Sequence, residues 1–178
     1  MSQKSVELRP VRESDLPVLE RFSTEPETVG EYQWQGWEDP GRWRRQWQEN
    51  GMLGPKSGLL MIQGDGEPAG FVSWREVVCW RGSFCWNTGI SLIPETRGRG
   101  YGAPAMRQLV RYLFANTQMV RIEAATEVAN VPAQRVLERA GFSREGVLRS
   151  VAFRSGQWWD GIGYSVLRGD EGWQSDTY

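Results

Sequence analysis

Residues 90–105, ISLIPETRGRGYGAPA, run from an apolar, β-like segment through a loop with three glycines and two arginines into a helical pattern. A strand that ends in such a loop and feeds a helix fixes where backbone NH groups converge. Gly98, Gly100 and Gly102 let main chain approach a ligand without a side-chain clash. The helix beginning near Ala103 adds unpaired NH donors and the positive end of its dipole. Arg97 and Arg99 can add charge-assisted bonds. The junction suits an anion, above all a pyrophosphate; a plain tight turn is the alternative reading of the glycines.

Two phosphate motifs do not fit. A P-loop needs a lysine followed by serine or threonine after its glycines, and RGRGYGAPA has neither. A dinucleotide fold places G-x-G-x-x-G after an early strand of a parallel sheet. Here the spacing is G-x-G-x-G, past the chain midpoint and behind several hairpin-like strands.

Composition narrows the chemistry further. With 178 residues the chain reads as one domain, residues 1–178, with a loose C-terminal tail from about 170. Lysine plus arginine number 21 against 22 acids, so a net charge of -1 gives no general pull toward nucleic acid. No apolar run approaches the roughly 18 to 20 residues of a membrane span, and MSQKSVELRP lacks the apolar core of a signal peptide, so a soluble, cytoplasmic protein is the expectation. Histidine is absent, which removes the commonest general base and metal ligand. No metal is expected. Cys79 and Cys85 show neither metal-ligand spacing nor a secreted disulfide framework and read as reduced, packed thiols.

The remaining segments describe an α+β chain. SVELRPV reads as a strand, and ESDLPVLERF as a helix with Ser14 and Asp15 as cap candidates, Pro17 in its first turn and Leu16, Leu19 and Phe22 on one face. A short helix follows around residues 40–48. GLLMIQ and AGFVSWREVV flank GDGEP, a hairpin signal, and SFCWNTGISLI leads into the glycine loop. Met106, Leu109, Val110 and Leu113 recur at helical spacing. In VRIEAATEVAN, Ile122 and Ala124 share one strand face, with Arg121, Glu123 and Ala125 on the other. VPAQRVLERAGF is a helix opened by Pro132 and closed by Gly141, and two last strands surround Ser155 and Gly156. The sum is a predominantly antiparallel central sheet flanked by helices.

In order along the chain, LRPVRESDL, GISLIPETRGRGYG, RIEAATEVANVPAQRVLERAGF, GVLR and GQWWDGIGYSVL resemble the GCN5-related N-acetyltransferases. Arg97 to Gly102 meet that family's Q/R-x-x-G-x-G/A loop pattern, and the arrangement looks most like the branch related to ribosomal-protein N-terminal acetyltransferases. The resemblance implies a sheet splayed at the acyl-CoA site and acetyl-CoA as cosubstrate. It implies that Ile90, Ser91 and Leu92 offer backbone groups to the pantetheine and acyl carbonyl, and that Arg97, Gly98, Arg99, Gly100, Tyr101, Gly102 and Ala103 take the pyrophosphate. Asn130 matches the asparagine that contacts the pantetheine; a helix cap is its other reading.

The chain also departs from that family. Asn87 and Thr88 stand where a glutamate often precedes the central-strand glycine, while Leu137 and Ala133 replace a tyrosine and a serine that relatives carry. Asp160 and Glu123 are the candidate bases, each with an ordinary ion-pairing role as the alternative. Tyr101 or Tyr164 could protonate the thiolate. Ten tryptophans are many for this length, and Trp34, Trp37, Trp43 and Trp47 cluster where relatives build the acceptor site. Aromatic walls such as Trp34 and Trp37 could hold a flat or apolar acceptor, with Glu31 or Asp39 attracting a cationic amine; otherwise these rings pack helices onto the sheet or join two subunits. The expected activity is acetyl transfer to an amine of a small molecule or a protein N-terminus by a monomer or homodimer, without nucleic-acid or membrane partners. A catalytically weak CoA-binding or sensor domain and a nicotinamide-binding enzyme are the alternatives.

Overall fold

The computed structural model describes residues 5–173. The chain forms β1 (Val6–Arg9), α1 (Leu16–Thr24), α2 (Pro26–Val29), α3 (Gly41–Asn50), β2 (Ser57–Gly64), β3 (Glu67–Trp80), β4 (Ser83–Leu92), α4 (Gly102–Asn116), β5 (Arg121–Glu127), α5 (Val131–Arg139), β6 (Ser143–Arg154) and β7 (Gln157–Leu167). The strands make one seven-stranded sheet in the order β1-β2-β3-β4-β5-β7-β6. Every neighbouring pair is antiparallel except β4 with β5. The α+β reading and the antiparallel bias hold.

Alternation along the strands builds two cores. Leu60, Ile62, Val72, Trp74, Trp86, Ile122, Ile162 and Tyr164 face α4 and α5 and pack around Met106, Leu109, Leu113 and Leu137. On the opposite face of β2 and β3, Leu59, Met61 and Phe71 meet Leu16, Leu19 and Phe22 of α1 and Trp43 of α3. Two tryptophans of the expected aromatic cluster belong to this second layer. The Trp43 indole donates to the Ser23 hydroxyl at 2.8 Å, and that of Trp47 to the Val11 carbonyl at 3.1 Å.

Polar details depart from the expected pattern. Asp15 is buried; its carboxylate accepts from the Arg12 amide and from both terminal nitrogens of Arg9, at 2.6 and 2.8 Å, and so joins β1 to the start of α1 instead of capping by side chain. The chain also stays packed past residue 170: Trp173 is buried against Phe114 at 6.3 Å between ring centres. Residues 174–178 lie outside the described residues. No helix among the described residues is long and apolar enough to cross a membrane.

A further correction concerns the cysteines. β3 and β4 form a long hairpin in which Val77 faces Cys85 and the register shifts between Val78 and Trp80. That shift brings Cys79 to a Cα separation of 6.2 Å from Cys85, and the two form a disulfide. The distance lies within the range that permits the bond. Iodoacetamide added to folded, unreduced protein is expected to label neither residue, and both after reduction and unfolding. Mass spectrometry reads the difference, and labelling without reductant would overturn the pairing.

Candidate active site

β4 and β5 share only two parallel pairs, Trp86 with Ile122 and Asn87 with Glu123. The Thr88 hydroxyl then donates to the Glu123 carbonyl at 3.0 Å, and the strands diverge. From Gly89 to Leu92, β4 is paired with β3 alone. Alternate NH and C=O groups of that stretch therefore face the gap instead of a strand. The beginnings of α4 and α5 close it from one side. They approach so closely that a Cβ on Gly102 would stand 2.9 Å from the Val136 side chain.

The gap opens into a cleft of about 920 Å³. Its lining includes Ile90, Ser91, Leu92, Arg97, Gly98, Gly102, Asn130, Ala133 and Val136, together with Glu31, Tyr32, Gln33, Trp34, Arg154 and Ser155. Seven of the eleven residues expected to hold a donor thus share a surface with two of the three expected to hold an acceptor; Arg99, Gly100, Tyr101 and Ala103 do not line it. Nor does Trp37. It is 80% exposed and meets only the edge of Trp34, at 5.9 Å.

The loop itself starts with a 3-10 turn, Pro94–Thr96, whose Thr96 hydroxyl lies 2.7 Å from the Ala69 carbonyl. Gly98 and Gly100 have φ values of 73° and 87°, a region side chains disfavour. The amides of Gly98, Gly100, Tyr101, Gly102 and Ala103 donate to no backbone carbonyl among the described residues, and Pro104 has no NH to lose. Five donors thus remain at the head of α4, where its dipole is positive.

Side chains of the loop behave differently from its main chain. Arg97 turns back: its guanidinium donates to the carbonyls of Leu92 (3.0 Å), Glu27 (3.2 Å) and Thr28 (2.5 Å), fastening α2 to the end of β4. Arg99 lies on the exposed loop against the Tyr101 hydroxyl. Tyr101 is buried and donates to Asp65 at 2.7 Å, a bond that raises its pKa by favouring the neutral phenol. Asn130 caps α5, its Oδ1 accepting from the Ala133 amide at 3.2 Å, and it also lines the cleft. The capping role and the cleft position coexist, since the cap leaves the side-chain NH₂ without a partner among the described residues.

Neither candidate base lines the cleft. Glu123 is paired with Arg121 at 2.7 Å, and Arg121 also binds Glu145. Asp160 accepts from the Ser150 amide at 2.8 Å, supporting a left-handed residue in the bulged part of β6. Tyr164 is buried, with its hydroxyl on Glu138 at 3.2 Å.

Residues not singled out from sequence complete the lining. Gln33 accepts from the Ser91 hydroxyl at 3.2 Å, across 58 residues. Tyr32 is hydrogen-bonded to Glu31, which, followed by burial, raises its pKa. Arg154, at the turn of the last hairpin, binds the buried Glu127 through two bonds of 3.0 and 2.8 Å and lies over Trp159 at 5.1 Å. Apart from the adjacent Glu31 and Tyr32, these contacts join residues from separate segments, which local sequence does not signal.

Comparison with known proteins agrees with this geometry. Residues 5–143 match the acetyltransferase (GNAT) domain family. The chain is 28% identical over 92 residues to the uncharacterized N-acetyltransferase YnaD of Bacillus subtilis, covering 52% of this chain and 53% of that protein. The match thus spans about half of that relative's length. Among solved structures, the ribosomal L7/L12 alpha-N-protein acetyltransferase RimL in complex with coenzyme A superposes with a TM-score of 0.76 at 20% identity, covering 92% of this chain and 94% of that one. The spermidine N-acetyltransferase of Vibrio cholerae, in complex with CoA and spermine, gives 0.74 at 18% identity, covering 91% and 95%.

The Glu127–Arg154 pair holds the tip of the β6–β7 hairpin beside the cleft. Glu127→Gln is expected to leave the arginine unbalanced and to accelerate amide hydrogen exchange severalfold in residues 151–159, with little change in α1. Equal exchange in the two proteins would remove the pair from this role.

Proposed function

The chain belongs to the acetyltransferase (GNAT) family, and on that premise we propose that it transfers an acetyl group from acetyl-CoA directly to an amine. One observation carries the proposal. Gly98 and Gly102 of the glycine loop, the unpaired edge of β4 and Asn130 line a single cleft that Glu31, Tyr32 and Trp34 also line. The pyrophosphate sits on the loop amides, and the pantetheine runs along β4 past the Asn130 amide group. RimL and the Vibrio cholerae enzyme, structures that contain coenzyme A, support a donor in this fold. Their names, a protein N-terminus for one and spermidine for the other, support an amine as acceptor.

The reaction forms a C–N bond and breaks the C–S bond of the thioester. A lysine-like ammonium has a pKa of about 10.4, so it gives up one proton to water before attack, and the second proton on its nitrogen passes to the departing thiolate as the amide forms. Backbone NH groups on the free edge of β4 stabilise the oxyanion of the tetrahedral intermediate. Coenzyme A leaves as a thiolate whose conjugate thiol has a pKa near 8.5, so a protein acid is helpful but dispensable. At the acceptor end Glu31 attracts the cation, and Trp34 supplies an apolar wall.

A second reading, a CoA-binding sensor with weak transfer, is favoured by the residues at the family's acid and base positions: Asn87, Thr88, Ala133 and Leu137. Purified protein with acetyl-CoA and a panel of amines separates the two when free thiol and acylated amine are both followed. Equal amounts of both products are expected. Asn130→Ala should raise the KM for acetyl-CoA by about fivefold, the loss of one hydrogen bond of about 1 kcal/mol, while Glu31→Gln should raise the KM for the amine and leave that for the donor unchanged. Donor binding without product across the panel would favour the sensor, and absence of donor binding would overturn both.

A further inference from the structure

Beside the first turns of α4 lies a second cleft, of about 460 Å³, lined by Ala103, Pro104, Arg107, Gln108, Arg111 and Arg139. Three of its six lining residues are arginines, and none is an acid. Arg107 and Arg111 are one helical turn apart on exposed positions of α4, and Arg139 ends α5. Arg107 donates to the Arg139 carbonyl at 2.5 Å, which draws the two helix faces together and places their arginines on one cleft. That contact uses one of five guanidinium NH groups. The side chains of Arg111 and Arg139 have no hydrogen-bond or ion-pair partner among the described residues.

Arg9, Arg121 and Arg154 are each matched to a carboxylate. Like charges one helical turn apart repel, so gathering three cations without an acid is unfavourable until an anion arrives. A compact dianion approached by several guanidinium groups fits best, and a phosphate monoester is the dianion that arginine recognises most readily. The position narrows the choice. Ala103 closes the row of open amides assigned to the pyrophosphate and also forms a wall of this cleft, so the two sites are contiguous.

Resting on the acetyl-CoA reading, we propose that Arg107, Arg111 and Arg139 bind the ribose 3′-phosphate of coenzyme A. The chain then selects coenzyme A over dephospho-coenzyme A, which shares the pyrophosphate and pantetheine and lacks only that monoester. No bond is made or broken in this step; the cleft contributes affinity and orientation.

Titration calorimetry of the full chain with coenzyme A and, separately, dephospho-coenzyme A tests the assignment. In low salt, coenzyme A is expected to bind about thirtyfold more tightly, as two or more charge-assisted bonds would give. The ratio should shrink as ionic strength rises, because the arginines are exposed. Arg111→Ala and Arg139→Ala should each weaken coenzyme A binding about tenfold and leave dephospho-coenzyme A unchanged, a pattern that misfolding would not produce. Arg139→Lys should retain part of the preference, since charge survives but the planar fork does not. Equal affinity of the unaltered chain for both compounds would overturn the 3′-phosphate site and leave the donor reading standing. Binding of neither would remove the donor reading and this inference with it.

Discussion

Two parallel residue pairs and the Thr88 hydroxyl on the Glu123 carbonyl are the last links between β4 and β5 before the strands part. A ladder continued to Leu92 would have satisfied the main chain of both strands and left no room between them. Its interruption carries a penalty, because backbone polar groups away from water need partners. The molecule limits that penalty by letting the gap open to solvent and by bringing the N-terminal ends of α4 and α5 to its edge. Gly102 permits this approach, since any side chain there would strike Val136. The same departure from regular pairing that weakens the sheet thus creates a row of donors with a fixed direction.

α4 is polarised by how its two ends are treated. At its C-terminal end Arg168 donates to the carbonyls of Phe114 (2.6 Å), Thr117 (2.6 Å) and Met119 (2.9 Å), which satisfies acceptors and complements the negative pole. At its N-terminal end the corresponding donors face outward without backbone partners. The loop that presents them is held by its side chains: Arg97 on three carbonyls, Tyr101 on Asp65 and Thr96 on Ala69. Its side chains are engaged by the protein, and its amides are left open.

This division explains what could be read in the sequence. Local periodicity placed α4, α5, β5 and the hairpins correctly, because their apolar residues meet one continuous core. The glycine spacing around Gly98 and Gly100 was legible because only positive φ demands it. Directions of long side chains were not. Arg97 sits in the right motif, yet whether its guanidinium reaches forward or back depends on the carbonyls of α2, about 70 residues earlier. The disulfide depended on register, since a shift in the β3–β4 hairpin puts Cys79 within reach of Cys85. Asp160 and Glu123 looked available as isolated acids; their partners, the Ser150 amide and Arg121, become visible only once the last hairpin is folded against β5. Trp43 and Trp47 split from Trp34 for a similar reason, because helix packing decides which rings meet the sheet and which face the cleft.

On the proposed reading, the acceptor end must reconcile two opposing demands. At neutral pH a lysine-like amine is about 0.04% unprotonated, so attack needs the neutral form while capture favours the cation. A buried, unshared carboxylate would hold the ammonium strongly and raise its pKa further, moving it away from reaction. Glu31 is instead exposed and already accepts from Tyr32. In water-like surroundings an ion pair at about 4 Å contributes only about 1 kcal/mol, enough to draw a cation toward the mouth without fixing its charge. The half-buried Trp34 acts in the opposite direction, because partial loss of water beside an apolar wall favours the neutral amine. On that reading, attraction at the exposed Glu31 and partial desolvation beside Trp34 act on the charge of the amine in opposite directions, so neither fixes it as the cation.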